Sequence, residues 1–421
     1  MARKMKDSGI EWIGEIPEGW SIARGKHILT LLQRAVFPTD GVITCFRDGE
    51  VTLRSNRRED GFTVSLKEIG YQGIEPGDLV VHGMDGFAGS IGISDSRGKS
   101  SPVLVVLDSS QDKKYLMYYL RSMAYNNVFL ALSTGIRVRS CDLKWNKLAD
   151  LLYLVPPIVE QHKLVSFLDE KCSEIDAMLS KTHASIEKYK KLKQAVITQA
   201  VTKGVRGKRE MKDSGVEWIG EIPKEWVCEK IKYATSISRG LFNHRPRNDE
   251  RYYNGKYPFI QTGDVANATK YIVSYSQTLN ELGKSVSKEF PKGTLTMTIA
   301  ANVGDVAILN FDAYFPDSVV GFIPNKNIRT LYLFYVFSAM KDQFTRTAIK
   351  NTQLNLNIDR VKETFIPVTL DSNEQCEIEN YLESKCAEID GLIAKKEQLV
   401  KELESYKKSL IYEVVTGKRE V

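Results

Sequence analysis

The chain has 421 residues, of which 42% are hydrophobic and 27% are charged, which is typical of a folded globular protein and argues against a disordered one. Its formal net charge of +6 is only mildly basic, so charge alone neither requires nor excludes a nucleic-acid partner. The chain begins without the apolar run of a secretory signal, and no apolar stretch is long enough to span a bilayer, so we expect a cytoplasmic protein with no membrane partner.

A repeated segment opens each half of the chain. Residues 5–20 read MKDSGIEWIGEIPEGW and residues 211–226 read MKDSGVEWIGEIPKEW, which match at 13 of 16 positions. A second repeat follows later in each half, from Glu160 to Lys181 and from Glu374 to Lys395. The stretches between these repeats look unrelated. The chain is therefore a tandem duplication in which a shared frame holds two variable middles.

The first variable middle lies within a first domain that we place at residues 1–155. Its apolar run after Gly77, followed by closely spaced glycines, predicts strand, turn, strand. The aromatic-rich stretch 114–128 predicts a helix whose rings belong to the core.

A long helix follows, in a segment that we place at residues 156–206. Small or apolar residues recur alternately four and three residues apart, and only Lys193 interrupts them. This spacing predicts an apolar heptad stripe along one side of the helix, which we call the seam. The prolines before it and Gly204 after it are the expected start and stop signals. The seam residues that we predict are Leu168, Cys172, Ile175, Leu179 and Ile186.

The second half repeats this plan, with a second domain at residues 207–366 and a C-terminal helix at residues 367–421. Strand-like stretches follow Gly293, and residues 330–344 form the second aromatic-rich helix. Lys396 and Lys407 interrupt the second seam, for which we predict Leu382, Cys386, Ile389, Ile393, Val400 and Leu403.

The two seams predict the overall arrangement. A narrow apolar seam on a long, otherwise charged helix needs a partner, and the equivalent seam of the other half is the obvious one. The end of the second half, residues 417–420, repeats the sequence GKRE of residues 207–210, which lead into the second frame. We therefore predict an α+β protein with two mixed α/β domains, an antiparallel coiled coil and a pseudo-two-fold circular arrangement. The alternative, in which each helix packs only on its own domain, stays open.

Catalytic motifs are not found in the sequence. Residues 92–100 resemble a phosphate-binding loop but place five residues between the glycines instead of four. The tetrapeptide of amino-group methyltransferases is missing, and neither the five histidines nor the six cysteines have metal-ligand spacing. We expect no catalytic residues, no metal site and no cofactor in this chain.

Side chains suited to DNA occur in loops of both middles. Arginine forks match guanine edges and phosphates, and asparagine and glutamine match adenine edges. Taken singly, each loop is more often a solvated surface, but the occurrence of such loops in both halves favours DNA. The candidate DNA-binding residues are Arg54, Arg57, Arg58, Ser133, Thr134, Arg137 and Arg139 in the first half, with Arg47 beside them. In the second half they are Arg239, His244, Arg245, Arg247, Gln261, Thr262, Lys350, Asn351, Thr352, Gln353 and Asn355.

These features together resemble the specificity subunit of Type I restriction-modification enzymes. The resemblance rests on the GxEWIGEIPxxW opening, the Glu-Gln entry into each long helix, the loop at residues 352–357 and the variable middles, and it covers essentially the whole chain. One departure concerns the first middle, where residues 133–137 replace that loop, so its contacts cannot be carried over.

The resemblance implies target recognition domains that each read one half of an interrupted DNA sequence. It implies double-stranded DNA and two modification (methyltransferase) subunits as partners, with restriction subunits where a system has them. S-adenosylmethionine, ATP and magnesium would then belong to those partners. Two other readings stay open: a two-lobed coiled-coil scaffold that binds proteins without reading DNA, and a self-sufficient nuclease or methyltransferase.

Overall fold

The computed structural model describes residues 3–57, 68–131, 143–347, 349–350 and 354–421. Several predicted site residues lie outside these ranges: Arg58, Ser133, Thr134, Arg137, Arg139, Asn351, Thr352 and Gln353. Within the described ranges, no helix is long and apolar enough to cross a membrane.

The first half contains short strands, short helices and one long helix. Its strands are β1 (Met5–Asp7), β2 (Glu15–Pro17), β3 (Ser21–Arg24), β4 (Leu29–Leu31), β5 (Ile43–Cys45), β6 (Val51–Leu53), β7 (Gln72–Ile74), β8 (Leu79–His82), β9 (Ile91–Ile93), β10 (Gly98–Ser100), β11 (Leu104–Ser109) and β12 (Leu152–Val155). Its helices are α1 (Gly25–Ile28), α2 (Lys113–Tyr125), α3 (Val128–Ala131), α4 (Trp145–Asp150) and α5 (Ile158–Lys203).

The second half follows the same plan with more strands. They are β13 (Met211–Asp213), β14 (Glu221–Pro223), β15 (Val227–Lys230), β16 (Thr235–Arg239), β17 (Tyr253–Phe259), β18 (Tyr271–Ile272), β19 (Gln277–Leu279), β20 (Glu289–Phe290), β21 (Leu295–Thr298), β22 (Val306–Leu309), β23 (Ala313–Tyr314), β24 (Val319–Pro324), β25 (Ile349–Lys350), β26 (Leu354–Asn355) and β27 (Phe365–Val368). The helices are α6 (Ile231–Ala234), α7 (Thr262–Asn267), α8 (Glu281–Ser285), α9 (Thr330–Ala339), α10 (Lys341–Thr347), α11 (Ile358–Glu363) and α12 (Ser372–Val415).

The chain forms two compact units that divide the long helices between them. Unit 1 contains residues 1–183 and 397–421, and unit 2 contains residues 184–396. Each unit therefore combines one variable lobe with the first part of one long helix and the last part of the other. The finer division into four segments stays a prediction.

In unit 1, an antiparallel sheet forms the centre of the lobe. Its strand order is β4-β11-β8-β9, and β8 pairs with both β11 and β9. The predicted strand, turn, strand after Gly77 is thus confirmed. Helix α2 packs its tyrosines into the main core, as the aromatic-rich sequence predicted, and Tyr115 and Tyr119 are fully buried.

In unit 2, the central sheet repeats this topology although the two middles look unrelated in sequence. Its order is β16-β24-β21-β22-β18, and the first four strands correspond to the four of unit 1. Helix α9 takes the place of α2, with Tyr332 and Phe337 buried in the core. The lobes differ in their additions: two small hairpin-like sheets, β5-β6 and β7-β10, in unit 1, and the four-stranded sheet β19-β17-β23-β20 in unit 2. Apolar patterning suffices for a shared topology, since many different apolar residues can fill one core.

The predicted heptad seams are confirmed as an apolar stripe on each long helix. The buried members are Leu168, Cys172, Ile175, Ile186, Leu382, Cys386 and Ile389, and the half-buried ones are Leu179, Ile393, Val400 and Leu403. In unit 1 the stripe joins one core with Leu410 and Val414 of α12. In unit 2, Ile197 and Val201 of α5 share a core with Leu382.

The lysines that interrupt the seams each have a partner on the other helix. In unit 2, Lys193 pairs with Asp390 at 2.7 Å, and the ammonium of Lys396 lies over the ring of Tyr189, 6.0 Å from its centroid. In unit 1, Lys407 pairs with Asp176 at 2.6 Å. The two ion pairs are repeat equivalents of each other. In unit 2, Tyr189 of α5 contacts Lys396 of α12, and the later α5 residue Lys193 pairs with the earlier α12 residue Asp390. The two helix segments therefore run antiparallel, as predicted.

In unit 1, the end of the chain packs on the repeated segment that opens the first half, residues 5–20, which we call the first frame; residues 211–226 are the second frame. The Tyr412 hydroxyl donates to the Trp12 carbonyl at 3.1 Å, and Gly417 lies against Pro17 and Trp20. In unit 2, the segment after α5 also contacts the second frame, where Arg209 lies over the ring of Trp226. Each frame is therefore closed by the end of a long helix, as the repeated GKRE sequence predicted.

The seam gives a stability prediction. Leu382 is fully buried in the core of unit 2, so Leu382→Ala should destabilise this unit by about 2–5 kcal/mol through lost apolar contact and a residual cavity. Leu399 on the same helix is 41% exposed, and Leu399→Ala is the matched control, with an expected change below about 0.5 kcal/mol. Urea unfolding followed by circular dichroism measures both. Equal costs for the two variants would contradict the seam.

Candidate nucleic-acid interface

The repeated Glu-Gln dipeptide at the start of each long helix anchors the lobes. The Gln161 side-chain oxygen accepts from the backbone N–H of Asp112, which precedes α2, at 3.0 Å. The Gln375 oxygen accepts from the backbone N–H of Arg329, which precedes α9, at 2.8 Å. Both glutamines thus satisfy backbone groups at a helix start and fix each lobe to the end of its long helix.

The glutamates of the two dipeptides bind the frames, but with different burial. Glu374 is 1% exposed, accepts hydrogen bonds from the Trp226 indole N–H at 2.9 Å and the Thr369 hydroxyl at 3.0 Å, and pairs with Arg209 at 2.6 Å. Its equivalent, Glu160, is partly exposed and pairs with Arg3 at 2.5 Å. These contacts fix each frame to the start of its long helix.

In the second lobe, three predicted arginines lie around one acidic residue, Asp317. Arg247 pairs with its carboxylate at 2.5 Å, Arg245 lies 3.7 Å from the same carboxylate, and Arg239 donates to its backbone carbonyl at 2.5 Å. A Cβ on Gly240 would lie 2.2 Å from the Pro316 carbonyl, so only glycine allows this close approach. The cluster carries more positive than negative charge on an exposed surface, and it suits a phosphate or a guanine edge.

Next to this cluster, His244 is held in a fixed position. Its ring stacks on Tyr252 with centroids 4.0 Å apart, and its Nε2 lies 3.1 Å from the Asp249 carboxylate. Arg251 and His244 both hydrogen-bond Asp249 and hold the pKa of that carboxyl well below its usual range. Asp249 therefore stays ionised at neutral pH and organises this loop.

The amide-rich candidates of the second lobe lie at a helix start and a hairpin. Gln261 precedes α7, where its side chain donates to Gln277 at 2.9 Å, and Thr262 is the first residue of that helix. Lys350 lies in β25 and Asn355 in β26, which pair as an antiparallel hairpin. The segment between these two strands, residues 351–353, is outside the described residues.

In the first lobe, Arg47, Arg54 and Arg57 line a polar cleft of about 820 Å³. Arg47 pairs with Asp85 at 3.1 Å, and Arg57 pairs with Asp48 at 2.8 Å. Arg54 donates from Nε to the Thr44 hydroxyl at 3.3 Å. The structure thus brings together the described arginines that the sequence predicted for this half.

His82, at the end of β8, also lines this cleft and was missed by the sequence analysis. Its Nδ1 accepts hydrogen bonds from the backbone N–H groups of Asp85 at 3.0 Å and Met84 at 3.3 Å. Burial lowers the pKa of the imidazole; the nearby Asp85 carboxylate opposes this, and Arg47 acts in the same direction as burial. His82 is therefore neutral at pH 7. A single histidine at the end of a strand belongs to no sequence motif. His82 is a candidate only because the fold places it in the same cleft as the arginines.

Comparison with known proteins agrees with the resemblance seen in the sequence. Residues 237–402 match the family model of the Type I restriction modification DNA specificity domain. A relative from Methanocaldococcus jannaschii, provisionally named the type I restriction enzyme MjaX specificity subunit, is 23% identical over 96% of this chain and 95% of its own length. The EcoKI specificity subunit of Escherichia coli K12 is 23% identical over 54% of this chain and 51% of its own length.

Along nearly its whole length, the chain is similar to a specificity subunit of Type I restriction enzymes. A chain from a solved structure concerned with assembly and conformational transition of a type I R-M system is similar in fold, with a TM-score of 0.74. The two are 14% identical, over 96% of this chain and 99% of that one. The fold of that chain is thus confirmed along the length of this one. The named relatives do not favour a protein-binding scaffold without DNA readout.

Proposed function

We propose that this chain is the specificity subunit of a Type I restriction-modification system, that it reads a bipartite, interrupted DNA sequence, one half with each lobe, and that it performs no catalysis itself. The observation that carries the proposal is the duplication: two lobes of one topology are held on equivalent frames, and each presents predicted arginines on a cleft or an exposed loop. A protein built from two such readers recognises two short sequences separated by unread base pairs.

The partners follow from the resemblance to the specificity subunits, and the duplication agrees with them. Two equivalent frames suit two copies of a modification subunit, which would bring S-adenosylmethionine and transfer the methyl group. A restriction subunit, where the system has one, would bring ATP and magnesium. The proposal assigns base or phosphate contacts to the candidate residues of both lobes, including Gln353 and Asn355, and those assignments stay predictions.

The proposal is tested by methyl transfer in a purified system. The full chain alone is expected to transfer no methyl group from labelled S-adenosylmethionine to duplex DNA, and sequence-specific transfer is expected once its modification subunit is added. Methyl transfer by the verified-pure chain would contradict the non-catalytic assignment. Salt-independent binding of duplex DNA by the complex would contradict DNA readout, because phosphate contacts release counterions.

A further inference from the structure

The cleft of the first lobe contains one side chain whose chemistry differs from that of the arginines around it. Arginine presents several charged donors and binds phosphates and bases alike. His82 is a neutral ring in which the two nitrogens have separate roles, and it lines the same 820 Å³ cleft as Arg47 and Arg54.

The backbone fixes the tautomer of His82. Because Nδ1 accepts hydrogen bonds from the backbone N–H groups of Met84 and Asp85, it cannot carry a proton, and the neutral ring must hold its proton on Nε2. Protonation of Nδ1 would remove both acceptor interactions. The ring therefore presents one uncharged donor in a fixed orientation.

A fixed, uncharged donor is suited to base readout. A charged group next to three arginines would add to phosphate affinity without distinguishing sequences. A single N–H donor distinguishes a base edge that has an acceptor, such as purine N7 or guanine O6, from one that places a donor or a methyl group there. The neighbouring arginines can hold the backbone that positions that base.

We propose that His82 is a specificity-determining residue of the first lobe, which donates from Nε2 to an acceptor on a base edge in the first half-site. This inference rests on the proposed function. The competing explanation is structural: His82 only holds the turn after β8 through its Nδ1 acceptor.

Two isosteric substitutions separate these roles. In His82→Asn the side-chain oxygen takes the place of Nδ1 and can accept from the turn, but the donor at the Nε2 position is lost. In His82→Gln the amide nitrogen lies near the position of Nε2 and keeps a donor. His27→Asn, at an exposed histidine of the same unit, is the control for substitution itself.

The experiment measures methylation by the full chain with its modification subunit on duplexes that carry each single base change in each half-site. His82→Asn should lower discrimination at a position of the first half-site about tenfold, which is the usual value of one well-placed hydrogen bond, and leave the second half-site unchanged. His82→Gln should retain most of the wild-type discrimination, and His27→Asn all of it.

The inference is overturned if His82→Asn discriminates as the wild type does, or if His82→Gln relaxes the first half-site as much as His82→Asn does. Loss of all methylation in both variants also overturns it, because the imidazole ring is then needed for the fold of the lobe and not for a donor at the Nε2 position. Failure of the proposed function gives a different result, since the wild-type chain with its modification subunit would then show no sequence preference.

Discussion

Glu374→Gln is expected to destabilise unit 2 by about 3 kcal/mol, with hydrogen exchange in the second frame more than about a hundredfold faster. Glu374 is almost fully buried, and the substitution removes the buried carboxylate that pairs with Arg209, which is itself only 14% exposed. The second partner of Arg209, Glu225, is 58% exposed and stays in the variant. It also replaces the carboxylate that accepts the Trp226 and Thr369 hydrogen bonds with an amide, whose NH2 group cannot accept them. An uncompensated buried charge costs far more than an exposed one.

The duplication supplies the matched control for this variant. Glu160 holds the equivalent position, but it and Arg3 are 24% and 28% exposed, so Glu160→Gln should cost at most about 1 kcal/mol. Exchange is compared at residues 217–230 for Glu374→Gln and at residues 11–24 for Glu160→Gln. Equal protection losses at the two sites would mean that burial of Glu374 does not govern the stability of its frame.

The Arg245→Ala/Arg247→Ala double variant is expected to weaken DNA binding by the assembled complex about tenfold to a hundredfold. Both guanidinium groups lie on the exposed cluster at Asp317, where they can neutralise phosphates of the second half-site. Each lost phosphate contact should reduce the slope of log affinity against log salt by about one. Fluorescence titration at several salt concentrations measures both quantities.

A charge-matched control separates local contacts from net charge. Lys224→Ala/Lys385→Ala removes the same charge from unit 2 at exposed side chains that pair with Glu210 and Glu388 instead of with Asp317. It should leave the salt slope unchanged. If it lowers affinity as much as the arginine variant does, the arginines act only through net charge and the proposed contacts are wrong.

The frames could be predicted from sequence because they are repeated segments, and the long helices because their apolar residues are spaced three and four residues apart. The seam from Leu168 onward follows a strict heptad pattern, and it is an apolar stripe in the structure. The lysines that break the pattern could not be explained from one helix alone. Lys193 and Lys407 are tolerated because Asp390 and Asp176 lie opposite them, and that depends on how two distant segments align.

The candidate interface was only partly predictable for the same reason. Arg245 and Arg247 are visible in the sequence as a basic loop, but Asp317, which binds them, lies 70 residues beyond Arg247. His82 ends a buried strand and carries no local signal, and only the fold places it beside Arg47. Base-reading residues belong to variable loops, so their positions follow from tertiary packing and not from a periodic pattern.

The most direct test of the central claim is the methylome of cells that express the modification subunit with and without this chain. We expect adenine methylation at one bipartite, interrupted motif when both are present, and its complete absence when either is omitted. Methylation of that motif without this chain, or by this chain without the modification subunit, would contradict the assignment of sequence recognition alone to this protein. An uninterrupted motif would contradict readout by two separate lobes.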